Sequence, residues 1–416
     1  MKTRLASVTV AAAVLAWPLV AGAAIALTDH AKVSVDVRTR LERNGGHDGT
    51  NDNDAVDRVT NRVRLGVDLT PIPELRAFVQ VQDVRAWGEE MDTLGDFTAD
   101  GLDLHQAFGD VRLLDGDLWM RIGRQEIKLD EERLIGAVGW TPQARSFDAV
   151  RVHYGSGGAG LSGDLFYALL KDDDPLSSTA AAADRQEGHL GGLELNYRFG
   201  EQATSTDTVQ VLAIVDRDED ADRTRFTVGL RNHGRFGIFK YRIEGYYQGG
   251  SEGDKDIQAF LAGVYAGVVL EDLLGLQALL WADYLSGDDD PNDGTIKTFD
   301  TLFATNHAFY GWADFFLNVP KHTGGRGLID LALKLRLKPT RVFKILVDYH
   351  HFRAAEDQGG DAQLGNEIDV AASWSPWKPF NLYLGVFVFL PGDGIQFRLD
   401  GKDADIGVYA HTRFLF

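Results

Sequence analysis

The stretch Ile329-Asp330-Leu331-Ala332-Leu333-Lys334-Leu335-Arg336-Leu337-Lys338 alternates strictly: every odd position is aliphatic, and four of the five even positions are charged. A strand sends successive side chains to opposite faces, so this segment carries one greasy face and one charged face. A helix would scatter the lysines and arginine around its circumference. The same period runs through Val63, Leu65, Val67 and Leu69, through Phe226, Val228 and Leu230, and through Tyr241, Ile243, Gly245 and Tyr247. Two architectures make such strands. In a soluble sandwich the apolar faces stack on each other and the charged faces meet bulk water. In a lipid-embedded barrel the apolar face meets hydrocarbon and the charged face lines a wet lumen.

Connection lengths separate the two. About 18 segments of roughly 10 residues, long enough to cross a bilayer when tilted, can be counted along the chain. Short connections fall at Thr70–Pro73, Asp115–Asp117, His233–Phe236, Lys338–Arg341 and Pro376–Pro379. Long polar ones fall at 44–57, 87–101, 125–146, 171–188, 286–326, 355–363 and 391–403, with His307–Val319 counted inside its loop so that the strand number is even. Short periplasmic turns opposite long extracellular loops characterise bacterial outer-membrane barrels. Phe260–Leu270 and Leu273–Ala282 are apolar almost throughout; they read as two strands and a turn, because each is too short for a helical span and Gly263, Gly267 and Gly275 disfavour helix. Leu382–Leu390 is apolar on both faces, which an inward plug packing on it would explain.

The ends of the chain agree. Residues 1–24 read as a signal peptide, with Lys2 and Arg4 ahead of an apolar Val8–Val20 stretch and the small residues Ala21-Gly22-Ala23. Ile406, Val408, Ala410, Thr412, Phe414 and Phe416 share one face and the chain closes on Phe416. That ending resembles the terminal signature read by the barrel-assembly machinery. The expected fold is therefore all-β: a transmembrane antiparallel β-barrel of about 18 strands over 25–416, in the outer membrane of a Gram-negative bacterium.

Composition narrows the chemistry. The 416 residues hold 42 Lys+Arg against 62 Asp+Glu, a net charge of −20, and no cysteine. The missing thiols exclude disulfides, Cys-based metal sites and covalently attached c-type haem. The acidic balance weighs against nucleic acid, which binds to basic surfaces. Acidic runs at Asp48–Asp57, Asp172–Asp174, Asp216–Asp222 and Asp288–Asp290 fall in the expected surface loops. Asp288-x-Asp290-x-Asn292 begins like a calcium loop, but Gly294 comes one position late. His350 and His351 point to opposite faces of one strand and cannot share a metal. No cofactor and no metal are expected.

The stretch 123–151 is the least barrel-like, with the blocks Gly123-Arg124-Gln125-Glu126, Arg133-Leu134-Ile135-Gly136 and Arg145-Ser146-Phe147-Asp148-Ala149-Val150-Arg151; Phe309-Tyr310-Gly311-Trp312-Ala313-Asp314 and Gly365-Asn366-Glu367-Ile368-Asp369 stand beside them. In these blocks the chain resembles the alginate export family of outer-membrane barrels. The resemblance implies a barrel with an arginine-rich constriction that passes an acidic polysaccharide to the cell surface. It carries the pore arginines onto Arg124, Arg145 and Arg151, with Glu126 and Asp148 as acidic partners. It also implies lipid, lipopolysaccharide and periplasmic export components as partners.

Physics supports an anion path independently of the resemblance. A guanidinium is always charged and its planar fork matches a carboxylate, so a ladder of arginines offers successive weak sites to a polyuronate. Arg38, Arg40, Arg62, Arg64, Arg76, Arg121, Arg198, Arg225, Arg231, Arg242, Lys334, Arg336 and Lys338 fall on expected lumenal faces. The competing reading is that they pair with Asp36, Glu42, Asp68, Glu194, Glu244, Asp330 and Asp369 and only fill the barrel. Two other functions stand beside polymer passage. A small-anion porin would use the same lumenal cations. A barrel enzyme would need a Ser/His or Asp/His group at the membrane rim, and only scattered His105, His153, His189, His350 and His411 occur; no enzyme is expected.

Overall fold

The computed structural model describes residues 24–44, 56–88, 102–113, 117–155, 158–172, 187–202, 205–395 and 403–416. The leader expected over 1–24 lies outside them except for Ala24, as do Asp48, Asp52, Asp54, Asp173 and Asp174 of the acidic runs. The strands form one sheet of 20, of which Ile25–Thr28 and Thr295–Ile296 are short accessories. The other 18 run antiparallel beside their sequence neighbours. The ring closes where Ala31–Asn44 pairs with Asp405–Leu415, Asp36 opposite Leu415 and Arg43 opposite Val408. Closure removes the sheet edge, so backbone groups are paired within the wall, as a hydrocarbon surrounding demands.

Side-chain burial settles which way the faces point. Val63 and Leu65 are 39% and 45% exposed on the outside, whereas Arg62 and Arg64 between and beside them are 3% and 7% exposed. Leu331 and Leu333 are likewise exposed while Asp330 and Lys334 are buried. A continuous greasy outer surface of this kind suits lipid and no other solvent. Trp374, Trp377, Phe380 and Phe414 cluster at the turn end, with Phe380 and Phe414 rings 5.2 Å apart, as in an interfacial aromatic girdle.

Most of the expected strand pattern stands. The apolar pair forms Lys255–Leu270 and Leu276–Leu285 around a turn, and 286–327 contributes no strand to the barrel wall. Two connections shift. His233–Phe236 continues the Arg223–Phe236 strand, and the turn comes at Gly237, whose φ of 60° suits glycine. Asp216 and Asp218 belong to the Ser205–Asp218 strand rather than a surface loop; Asp216 is buried and bonds Arg225 at 2.9 Å.

The larger correction concerns two loops expected outside the barrel. Residues 126–146 and 286–327 fold inward. Ile127, Leu129, Leu134 and Ile135 from the first and Phe299, Phe309, Tyr310, Phe315, Phe316 and Val319 from the second are buried in one cluster with wall residues Leu212, Leu279, Phe352 and Phe389. The loops pair with each other: Gly136 N–H donates to Phe303 O at 2.8 Å, and Phe303 N–H to Leu134 O at 2.9 Å. So many aromatic groups would be costly in water, whereas burying each gains roughly 1.5–3 kcal/mol. The apolar inner face of Phe380–Pro391 is thereby explained. Phe389 stacks on Phe315 at 3.9 Å, and Tyr383 packs 6.0 Å from Trp312.

The plug tip is seated through a glycine. Gly311 has φ +83°, and a Cβ there would lie 2.4 Å from Glu367 Oε2, while Glu367 Oε1 accepts from Ala313 N–H at 2.7 Å. Gly311→Ala is expected to cost about 1–3 kcal/mol through backbone strain and the clash. A lower denaturant midpoint and added current noise in planar bilayers would show it.

Candidate functional site

The site is built where the barrel closes. Asp36, Arg38 and Arg40 of Ala31–Asn44, Arg62 and Arg64 of Val56–Ile72, and His411 and Arg413 of Asp405–Leu415 all point inward, because period 2 places them opposite the lipid-facing residues. Asp36 accepts from Arg413 at 2.8 Å and from Arg62 at 3.1 Å. Arg64 divides its donors between Gln82 at 2.7 Å and Glu126 at 3.3 Å. Glu126 also meets His105 and Lys128, each at 2.9 Å. Burial would raise its carboxyl, but His105, Lys128 and Arg64 hold it well below the usual carboxylate range.

Arg38 and Arg40 grip the first inward loop. Arg40 donates to Trp140 O at 2.5 Å and Glu42 at 2.7 Å, and its guanidinium lies 3.9 Å from the centroid of the Trp140 ring. Arg38 donates to Gly139 O at 3.0 Å and Thr141 O at 2.9 Å, and among the described residues it has no carboxylate at ion-pair distance. Carbonyl oxygens carry only partial charge, so Arg38 keeps most of its field.

Below these loops, at the turn end of the barrel, lies a cavity of about 250 Å³. Arg38, Lys128, Arg336, Lys344, Lys378 and Arg413 line it against only Glu131, Glu132 and Asp348, with Trp140, Trp312, Tyr383 and His307 among the rings beside them. Trp140 stacks on His307 at 4.0 Å. A basic vestibule with low-dielectric walls raises the local concentration of anions. Chemically it can hold a carboxylate next to a ring face.

The expected site residues part company here. Arg38, Arg62, Arg64 and Glu126 come together at the seam. Arg336 reaches the same cavity and forms a bidentate pair with Asp348, one arm at 2.9 Å. Arg151 faces the lumen from Phe147–Tyr154 and is held by Asp164 at 2.6 Å. Arg145 lies between the inward loops, donating to Phe303 O at 2.5 Å, and burial pushes its guanidinium down. It ties the plug together. Lys338 is exposed at the turn that follows Leu328–Leu337 and is not among the residues lining the cavity. Arg124 and Asp148 do pair, at 3.0 Å, but on the wrong side of the wall: Arg124 shares the face of Ile122 and Asp148 that of Val150, both lipid-exposed. Period 2 decides this, whatever the resemblance carries over.

Most of the remaining ladder is neutralised. Arg76 pairs with Asp68 at 2.9 Å and Asp110 at 3.0 Å, Arg121 with Asp110 at 2.6 Å, and Arg242 with Asp283 at 3.1 Å. The vestibule contains cations that the sequence reading passed over: Lys128, Lys344, Lys378 and Arg413. Arg413 was within reach, since the apolar alternation Ile406 to Phe416 leaves it on the lumenal face. Arg133 was also missed. It is buried in the plug, hydrogen-bonded to Asp283 at 2.6 Å and the Tyr310 hydroxyl at 2.9 Å and at ion-pair distance, 2.9 Å, from Glu244. Burial lowers its affinity for the proton, but Asp283, Tyr310 and Glu244 more than reverse this and hold it charged.

A family profile described as alginate export matches residues 29–408. Among curated proteins none matches the sequence. Solved outer-membrane proteins share the fold. OpdK from Pseudomonas aeruginosa superposes with a TM-score of 0.60 at 12% identity, covering 93% of this chain and 98% of its own. OccAB4 from Acinetobacter baumannii gives 0.63 at 12%, covering 94% and 99%. A BenF-like porin from Pseudomonas fluorescens Pf-5 gives 0.63 at 11%, covering 93% and 98%. At such identities the likeness is one of fold, an outer-membrane channel.

Proposed function

The chain belongs to the alginate export family, and from that premise we propose that its barrel passes an anionic saccharide, polymer or oligomer of uronate type, across the outer membrane by passive conduction. The observation that carries this is the vestibule's lining of six Arg or Lys against three Asp or Glu; Arg336, Arg413 and Lys128 have carboxylate partners, whereas Arg38 is held by carbonyl oxygens. Each uronate carboxylate exchanges hydration for guanidinium or ammonium contact, and the contacts must be weak enough to release it. On this reading the barrel is a conduit without chemistry, anchored by lipid and lipopolysaccharide and fed by periplasmic export components.

A second reading, a porin for small carboxylates, draws on two observations. The cavity is only about 250 Å³. OpdK, similar in fold, has been solved with vanillate, an aromatic carboxylate. Reversal potentials across a planar bilayer test the shared claim. Anion selectivity is expected, falling when Arg38 or Lys344 is replaced by Gln and unchanged in Arg124→Gln, which alters only the outer face. Cation selectivity, or an equal response to all three, would overturn it. Block by uronate oligomers and not by vanillate favours the saccharide; the reverse favours the small-anion porin; equal block by neutral oligosaccharides defeats both.

A further inference from the structure

Behind the seat of the plug, three neighbouring strands bring a patch of charge to one inward face. Leu328–Leu337 supplies Asp330 and Lys334, Phe343–Arg353 supplies Asp348 and His350, and Gln363–Trp374 supplies Glu367 and Asp369. Register places Asp348 directly across from Asp369, and His350 across from Glu367. One donor atom each of Asp348, His350 and Asp369 lies within 4.8 Å of the others, and all three residues are buried. We propose that Asp348, His350 and Asp369 form a binding site for a divalent transition cation of the Zn²⁺ class, which clamps these strands beneath the inward loop.

The histidine carries the inference. His350 is wholly buried, and its Nδ1 lies 2.9 Å from Asp330 Oδ1. In the neutral ring that bond places the proton on Nδ1 and leaves Nε2 with its lone pair, the carboxylate–histidine arrangement that orients metal ligands. Nε2 has no hydrogen-bond partner, although it is buried. Asp369 and Glu367 are buried against each other, with the Trp312 N–H beside Asp369, and both Asp369 oxygens and Glu367 Oε2 lack a partner at full hydrogen-bonding geometry. Orphaned buried acceptors cost about 1–3 kcal/mol each, and two of these residues, His350 and Asp369, belong with Asp348 to the cluster within 4.8 Å.

Charge points the same way. Asp330, Asp348, Glu367 and Asp369 face Lys334, whose Nζ is spent on Phe309 O at 3.0 Å, and Arg336, which is paired with Asp348. Each carboxylate oxygen has two lone pairs, so Asp348 can hold Arg336 and a cation together. One imidazole nitrogen among oxygens excludes the all-oxygen preference of Ca²⁺ and Mg²⁺ and suits Zn²⁺. Access exists, because Asp348 also lines the vestibule. Glu367, through its bond to Ala313 N–H, couples the patch to the plug tip.

Full-length protein purified in detergent, stripped with EDTA and titrated with Zn²⁺ tests this, whichever anion the channel passes. One equivalent per chain is expected, with Co²⁺ in its place giving visible d–d absorption. His350→Gln and Asp369→Asn should each abolish stoichiometric uptake, and Asp330→Asn should weaken it roughly 10–100-fold. Asp289→Asn, in an exposed acidic loop, should leave uptake unchanged. No uptake by the wild-type chain, or equal uptake by His350→Gln with its heat-modifiable barrel intact, would overturn the site. Should Asp369→Asn fail to fold, the wild-type titration and His350→Gln decide alone.

Discussion

Replacing Arg133 by Met is expected to destabilise the folded barrel by about 3–5 kcal/mol, the usual cost of stripping one partner from a buried ion pair. Its guanidinium is ion-paired with Glu244 at 2.9 Å and hydrogen-bonded to Asp283 at 2.6 Å, and both carboxylates are fully buried. Arg242 and Arg231 stay nearby, Arg242 at 3.3 Å from Glu244 and Arg231 at 2.6 Å from Glu131. Three acids would then face two bases. Methionine fills much of the volume and keeps contact with Phe309, over which the guanidinium lies at 4.6 Å, so packing loss is the smaller part. Denaturant unfolding in detergent should show the drop. Because Arg133 rides on the inward loop, single-channel records should show wider or more frequent open levels as well. Adding Asp283→Asn to the same chain removes the extra negative charge and is expected to restore part of the stability. A drop below 1 kcal/mol would mean that Arg231 and Arg242 already compensate both acids.

The wall was readable from the chain because lipid imposes a local rule. Ile329 to Lys338 must alternate if one face meets hydrocarbon, and that requirement involves no distant residue. The same rule was sufficient to place Arg124 outside, since Met120 and Ile122 share its face; the family block was the weaker guide there. What period cannot reveal is how far a lumenal cation stands from its counter-ion. Asp36 and Arg413 are 377 positions apart and meet at 2.8 Å only because the ring closes. His350 and Asp369 meet across a register fixed by a turn. The plug had a legible trace that length and polarity masked. Phe299, Phe303, Phe309, Phe315 and Phe316 make the 286–327 connection too aromatic to lie in water. Neutralisation of Arg76, Arg121 and Arg242 by their wall partners leaves the surplus charge at the seam and the vestibule, and so moves the candidate path away from most of the arginines first credited with it.

Excising residues 299–319 and joining the ends by a flexible Gly/Ser linker is expected to give the largest change in conductance. The barrel wall does not depend on that segment for its ladders, since Leu276–Leu285 pairs directly with Leu328–Leu337 from Gln277–Arg336 to Leu285–Leu328. Removing Phe299, Phe309, Tyr310, Phe315, Phe316 and Val319 therefore takes the second inward loop out of the buried cluster while leaving the ring closed and the 126–146 loop in place. A barrel of 18 strands is wide enough for an aqueous channel, and losing one of its two inward loops opens part of that width. Conductance should rise severalfold, and anion selectivity should fall, because ions would pass far from Arg38 and the vestibule lysines. The exposed inner apolar groups, Leu212, Leu279, Phe352 and Phe389, would lower stability at the same time, each by an amount of order 1 kcal/mol or more. Unchanged conductance with an intact, heat-modifiable barrel would show that ions already bypass the inward loop, and the seam path beside Arg38 would have to be given up.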